Sequence, residues 1–439
     1  MTETGIESVL AEFNRALFER YDLLFTDMSY GGPVADIGNT EERLRHYVQN
    51  NLEPTMAGSI TGQTKMTGLQ SSGVSIPQHV RAGDGNGAVL RKQILAYMKA
   101  EPLAGSLSEA TQNLNILQLR GYDTYDMEAE MDKNYEELQQ AMQNAEEGRE
   151  TDLAAPVEEI QSKRSLGVLR LAHPSPDSIS RKTVVAADYA SGRGLTHGNG
   201  TVQAEGLTAT DALLFDEYLF EKCGSHGKIL EGSRLRYQLE YIIEGKPGDY
   251  ANLDAIAKKL MFWRAASNHL YILTDSEKTG IASTIAGIVS LILLVPEVEE
   301  PLKHAILFAW SFAESVSDLR ILFGGGKVPL VKTQETWKTS FFGMVGFGGG
   351  ASGDTGLDYE GYLRMLVLMT DLQTKTMRLM DIMEMDIRET PGNLYFRIDG
   401  CIDSLTASVS YQTRLGFSGT FTRRRGYTEW PAGETGGGT

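Results

Sequence analysis

Cysteine is scarce in this 439-residue sequence: only Cys223 and Cys401 occur, with no CxxC pair. Thiolate zinc sites and thioredoxin-type redox chemistry therefore have no basis in it. The two thiols, far apart in sequence, fit either one bridge in an oxidising compartment or two separate buried side chains. Positive charge is also in short supply, with 41 Lys and Arg against 58 Asp and Glu and a formal net charge of −17. A chain without clustered cations cannot displace the counterions of a phosphate backbone, which excludes nucleic acid as a partner. The one basic cluster, Arg423, Arg424 and Arg425, has no aromatic stacking platform beside it and reads as the solvated side of a strand. Long apolar runs are missing. The longest uncharged stretch, Gly280 to Pro296, is interrupted by Ser283, Thr284 and Gly287. It falls short of the roughly 20 apolar residues that span a bilayer, and predicts a helix buried on all sides. Met1 leads straight into an amphipathic pattern with no apolar h-region, which predicts a soluble chain.

Catalytic signatures are incomplete wherever they begin. Lys327 follows three glycines, but Ile321 and Val328 stand where a phosphate loop needs glycine and a hydroxyl. Gly348, Gly350 and Gly353 spell GxGxxG inside a glycine-rich run without the strand and helix of a dinucleotide site, and predict a loop. The seven histidines, His46, His79, His173, His197, His226, His269 and His304, are scattered, with no HExxH. Asp381 and Glu384 share one helix face, a spacing that solvent-facing carboxylates adopt routinely. Asp123, Asp126 and Glu130 lack the glycine of a calcium loop, and Asn199-Gly200-Thr201 is a glycosylation sequon only in a eukaryotic secretory route. No catalytic, metal-ligating or cofactor-binding residue is predicted.

What is present is patterned secondary structure. Ile6, Val9, Leu10, Phe13, Leu17, Tyr21 and Leu24 predict one amphipathic helix from Glu3 to Met28. A second helix is predicted from Asn39, with Glu42 completing a capping box. Short strands are expected between Met56 and Gly87, then a helix to Lys99. Met131, Tyr135, Leu138 and Met142 form an apolar seam that predicts a helical hairpin with Leu153 to Lys163. Strands are predicted at Leu166–Leu171, Thr183–Tyr189, Leu235–Ile243, Leu394–Asp399, Leu405–Thr413 and Thr420–Tyr427, and helices at Asp211–Cys223, Tyr250–Leu273, Ile281–Val295, Pro301–Leu322 and Tyr359–Ile387. Among the strands the strict alternation of Leu235 to Ile243 is the clearest. The implied organisation is an N-terminal helix and start of the core (1–100), a helical hairpin insertion (101–165), strands and sheet core (166–248), a helical domain (249–390), C-terminal strands (391–430) and a disordered tail (431–439).

Several stretches occur together: Glu19-Arg-Tyr-Asp-Leu-Leu-Phe ending in Tyr30-Gly-Gly, Asn39-Thr-Glu-Glu-Arg-Leu-Arg-His-Tyr and Leu239-Glu-Tyr-Ile-Ile-Glu-Gly-Lys. They are joined by Lys327-Val-Pro-Leu-Val-Lys-Thr, Leu357-Asp-Tyr-Glu-Gly-Tyr-Leu-Arg and Phe396-Arg-Ile-Asp-Gly-Cys-Ile-Asp. In these the chain resembles an uncharacterised family of Gram-positive envelope proteins associated with tight-adherence, type IV-like pilus systems. The resemblance runs from about Ile6 to Tyr427 and is weakest between Ala100 and Glu205. It implies an α+β fold with a pilin-like N-terminal helix on an antiparallel sheet and large helical insertions. It also implies a non-catalytic, extracytoplasmic, minor-pilin-like subunit whose partners are other pilus or envelope subunits. Members of that family carry a hydrophobic helix ahead of the segment matching Ile6, so the resemblance implies a membrane anchor preceding this sequence, with Met1 in its place. An envelope adhesin or ligand-binding protein is the alternative, with a groove lined by Trp263, Trp310 or Trp337; an enzyme of unrecognised type is the third.

Overall fold

A computed structural model describes residues 1–52, 70–100, 106–143, 152–202, 206–347, 353–413 and 416–427. The fold is α+β, a small antiparallel sheet joined to a large helical body.

The predicted first helix is divided. α1 (Thr2–Leu10) gives way to α2 (Arg15–Tyr21) because Asn14 leaves helical geometry and its side chain accepts from the Leu17 amide. That is an N-cap inside what periodicity reads as one helix. Asp22, at φ 54°, ends α2, and the chain extends into β1 (Thr26–Asp27). α3 (Ile37–Leu52) starts two residues before the predicted cap, and Asn39 instead donates to the carbonyls of Met28 and Val34. β2 (Gln70–Arg81) and α4 (Asp84–Ala100) follow, then α5 (Ser106–Leu119), α6 (Met127–Met142), α7 (Ala155–Arg164), α8 (Val168–Ala172) and α9 (Ala209–Lys222). The body continues with α10 (Gln238–Glu244), α11 (Asp249–Ile272), α12 (Ser276–Leu293), α13 (Glu299–Phe323), α14 (Tyr359–Met369) and α15 (Leu372–Arg388). β3 (Cys401–Gln412) and β4 (Ser418–Gly426) close the described chain.

β3 is the central strand. It pairs with β2 along one edge, from Gln70↔Gln412 to Arg81↔Ile402, and with β1 (Thr26↔Ile402) and β4 (Ser418↔Gln412 to Gly426↔Ser404) along the other. All pairings are antiparallel. Two neighbouring strands, β2 and β3, are thus separated in sequence by the whole helical body, which is one large insertion. Both outer edges are blunted, as an unpaired strand edge requires. The Ile76 and His79 amides of β2 donate to the side chains of Glu41 and Asn199, and Pro77 sits at a register shift. β4 carries Arg423 to Arg425, with Arg425 paired to Glu3 of α1.

Ile6, Val9 and Leu10 of α1, with Leu44 and Val48 of α3, pack on Val74, Ile76, Leu405, Ala407 and Val409 of the sheet. Leu17 and Tyr21 of α2 go elsewhere, into the core of the helical body. That core is built around α13, which α6, α7, α11 and α12 surround. The predicted 106–163 hairpin is therefore not a separate insertion: Met131, Leu138, Val157 and Ile160 share one core with Ile306 and Trp310.

Four predicted strands are not strands. Leu166–Leu171 overlaps α8, Thr183–Tyr189 holds one bridge (Thr183↔Gly248) and a short 3-10 turn, and Leu394–Asp399 ends in another such turn. Leu235–Ile243 overlaps α10, so the described residues of segment 166–248 supply no strand to the sheet. Alternation misled because, of its polar members, only Arg236 is exposed: Gln238 and Glu240 are both 0% exposed and hydrogen-bonded. A short helix buried on every side has no amphipathic period to display. Gly245, at φ 66°, closes it. The predicted helix Tyr359–Ile387 breaks at Thr370, and Asp371 caps the second half while Asp358 caps the first. α12 is buried on one side only, against the expectation for the uncharged run: Ile288, Leu291 and Ile292 are exposed. No helix among the described residues is long and apolar enough to cross a membrane. The predicted tail and the glycines from Gly348 to Gly350 lie outside the described residues.

Candidate functional site

Carboxylates on α15 organise a buried polar cluster that ties several distant segments together. Asp381, Glu384 and Asp386 are all 0% exposed, which corrects the solvent-facing expectation for the first two. Asp381 accepts from the Ser191 amide at 2.7 Å, the Ser191 hydroxyl, and the Tyr241 hydroxyl at 2.8 Å. Glu384 receives both ends of the Arg193 guanidinium at 2.7 and 2.8 Å, Arg388 at 3.0 Å and the Ile398 amide at 3.0 Å. Asp386 takes Tyr21 (2.8 Å), Gln238 (2.7 Å), the Arg234 amide (3.0 Å) and Arg20 (2.8 Å). Arg193 also reaches Asp399. Burial pushes all three carboxyl groups above their ordinary values, and the surrounding donors pull against it. With three or four donors each, these carboxylates are committed to binding chain segments near residues 20, 192, 236 and 398 to one helix. Tyr21→Phe removes a single hydrogen bond to a charged group, and should cost roughly 1.5–3 kcal/mol in a urea titration without altering the fold.

A second cluster lies inside α11 and α13. Arg264 Nε meets Asp318 at 2.9 Å, and its Nη1 donates to the carbonyls of Pro329 and Leu330 at 2.9 and 3.0 Å. Lys332 Nζ lies 2.5 Å from Glu314 and 2.6 Å from Asp318. Burial acts to raise the Asp318 carboxyl, but Lys332 and Arg264 outweigh it and hold the group below its ordinary range. Two acids and two bases cancel within one buried cluster of charge.

The third cluster is the one with titration near neutrality. His173 and His226 approach Nε2 to Nε2 at 2.8 Å, with rings nearly perpendicular. The Ser175 amide donates to His173 Nδ1, so that nitrogen carries no proton. His173 must then hold its proton on Nε2 and donate it to His226, whose own proton sits on Nδ1. Glu240 stands next to this pair: Oε1 accepts from the His226 amide at 2.8 Å and from Tyr359 at 2.9 Å, while Oε2 is buried without a partner. Burial pushes Glu240 up to about 7 and, with His173 nearby, pushes His226 down to about 4. The cluster can hold a proton at neutral pH. Sequence separation hid the meeting of the two histidines.

Cys223 ends α9 and Cys401 opens β3; both are buried free thiols, so the possible disulfide is not formed, and burial raises both to inert values. Trp310 and Trp337 both donate to the Thr339 carbonyl, and with Trp263 they are buried in the core. His269 stacks between Phe308 and Tyr125, and His197 meets Asp84 at 3.1 Å. His79 accepts from Arg81 at 3.1 Å. No group of three or more His, Cys, Asp or Glu placed to hold a metal occurs among the described residues. Asn199 pins β2 through the His79 amide and the Pro77 carbonyl, and Asp126 caps α6. Lys327 is held through its backbone by Gly353, where a Cβ would fall 1.8 Å from the Lys327 carbonyl. Arg423 and Arg424 are exposed on β4, as the solvated-face reading expects.

Sequence reasoning missed Arg193, Glu240 and the Arg264–Asp318–Lys332–Glu314 set. One signal was available for the last: a charge set in an otherwise apolar helix, as in LMFWRAA and SFAESVSDL, has no solvated face to occupy.

Residues 145–413 match a family of unknown function, DUF5702, a span that holds most of all three clusters while Arg20 and Tyr21 reach in from outside it. No curated protein and no solved structure matches the chain. Since the match covers more than half of its length, the chain belongs to the DUF5702 family of unknown function.

Proposed function

We propose that this chain is a non-catalytic structural subunit of a bacterial cell-envelope assembly, placed outside the cytoplasm and built in the manner of a minor pilin of a tight-adherence system. The observation that carries the reading is the seating of α1. Ile6, Val9 and Leu10 lie on the antiparallel sheet, Thr2 meets the Tyr411 hydroxyl of β3 at 2.9 Å, and Glu3 pairs with Arg425 of β4. A helix fastened to two strands at its first turn transmits force on the preceding chain into the sheet. The buried carboxylates support the same reading, since their hydrogen-bonding capacity is spent on cross-links between distant segments. On this reading the partners are other pilus or envelope subunits, and the membrane is reached through a hydrophobic helix ahead of α1.

The test is made in the native bacterium with a C-terminally tagged protein, by separating envelope from cytosol and treating intact cells with protease. Recovery in the envelope fraction with loss of the tag supports the proposal. A cytosolic, protease-protected protein overturns it.

A further inference from the structure

α12 buries one face and leaves a second apolar face open. Ala282, Ile285, Ala286, Val289 and Leu293 are buried, in a helix that packs along α13. On the outer side Ile288, Leu291 and Ile292 are 42, 75 and 40% exposed, and Leu294 just beyond is 63% exposed. Ile281, Thr284, Ile288 and Leu291 recur at steps of three and four, the spacing of a seam that accepts the side chains of another helix. Leu294 adds to this: it adopts φ 53°, a conformation in which a leucine costs about 1–2 kcal/mol, and still points its side chain to solvent.

The rim of the seam is mainly acidic, with Glu300 the member that is paired, to Lys303 and His304. Glu277 opens the stripe, and Glu297, Glu299 and Glu300 close it, all exposed. Glu299 is brought alongside: its Oε1 lies 3.8 Å from where a Cβ on Gly287 would stand. Among the described residues neither Glu297 nor Glu299 pairs with a cation, and the sequence holds no Lys or Arg between Lys278 and Lys303. Lys278 is itself buried and taken by Asp275. A second copy of this chain would set acid against acid across the seam, on top of a net charge of −17. An anionic lipid surface meets the same repulsion.

We propose that the outer face of α12 docks an amphipathic helix of a partner protein, apolar at heptad positions and carrying Lys or Arg at its ends. Ile288 and Leu291 supply the apolar anchors, and the glutamates at either end select the basic flanks and set the register. The proposal does not depend on the envelope reading.

The probe is a synthetic 18-residue helical peptide with Ile and Leu at heptad positions and Lys at both ends, labelled for fluorescence anisotropy. The control carries Glu in place of Lys. The full chain should bind the basic peptide at least tenfold more tightly than the acidic one, with affinity falling as salt is raised from 50 to 300 mM. Leu291→Glu, at an exposed position that leaves the circular dichroism unchanged, should weaken binding of the basic peptide at least tenfold. Equal binding of both peptides, or binding indifferent to Leu291→Glu, overturns the proposal. So does a concentration-dependent dimer, or binding to neutral phosphatidylcholine vesicles, that Leu291→Glu abolishes, because each puts a different occupant on the face.

Discussion

Asp318→Ala should lower stability by roughly 3–5 kcal/mol, the expected cost of leaving buried charge without its partner. Asp318 is 0% exposed and holds two cations at once, Arg264 through Oδ2 and Lys332 through Oδ1. Without it the Arg264 guanidinium, also 0% exposed, keeps only the carbonyls of Pro329 and Leu330, the Asn268 side chain and the Tyr362 hydroxyl. Lys332 keeps Glu314. Asp318→Asn preserves shape and hydrogen-bonding atoms but not charge, and should fall between the alanine variant and wild type. The measurement is the urea midpoint followed by the fluorescence of Trp310 and Trp337, which lie in the core around α13. A loss below about 1 kcal/mol for the alanine variant would show that the charges are relieved by some other route.

Two buried groups should move stability with pH in opposite directions. Burial between Tyr125 and Phe308, with His304 nearby, pushes His269 down to about 4, below its ordinary 6.5. The folded state therefore refuses a proton that the unfolded chain accepts. His269 contributes its stability above pH 6.5 and loses it as pH falls toward 4, by about 3 kcal/mol. His269→Phe fits the aromatic stack and cannot be protonated. The variant should match wild type near pH 7.5 and exceed it by about 3 kcal/mol at pH 4. Glu240 behaves in the reverse sense. Its folded value of about 7 lies above the ordinary 4.5 because burial disfavours the charge, so its contribution is complete below pH 4.5 and is lost as pH rises through 7. Glu240→Gln keeps an acceptor for the His226 amide and Tyr359, and should gain about 3 kcal/mol over wild type between pH 4.5 and pH 8. Denaturant titrations of all three proteins between pH 4 and pH 8 test both signs. Differences that stay flat with pH for both variants would sink the assignment of either group.

Helices were legible in the sequence where one face is wet. α4, α9, α11 and α13 lie within a few residues of their predicted ranges, because solvent on one side or length in excess of a strand leaves a readable pattern. The C-terminal hairpin was legible for the same reason: Leu405, Ala407 and Val409 face α1 while Ser408 and Ser410 face out to meet Thr422 and Thr420. α10 was illegible. Its glutamine and glutamate satisfy themselves on Gly224 and His226, 14 residues back, and on Asp386 and Tyr359, more than 100 residues on, all outside a local window. The same blindness made Asp381 and Glu384 look like surface residues. Spacing says which side of a helix a carboxylate occupies and nothing about what covers that side.

The α+β class, with a first helix on a sheet and helical insertions, was what the family resemblance implied; by itself the sequence determined an acidic chain with a run of helices, an apolar stripe at its start and a closing pair of strands. Those follow from local periodicity and net charge, which every short window carries. Only the tertiary structure decided that β2, not Leu235 to Ile243, pairs with β3, that the first apolar stripe is split between two cores, and that His173 meets His226. Such choices depend on contacts between residues tens to hundreds of positions apart. Burial then sets the energy of each charge, and burial is a property of the assembled fold rather than of any segment within it.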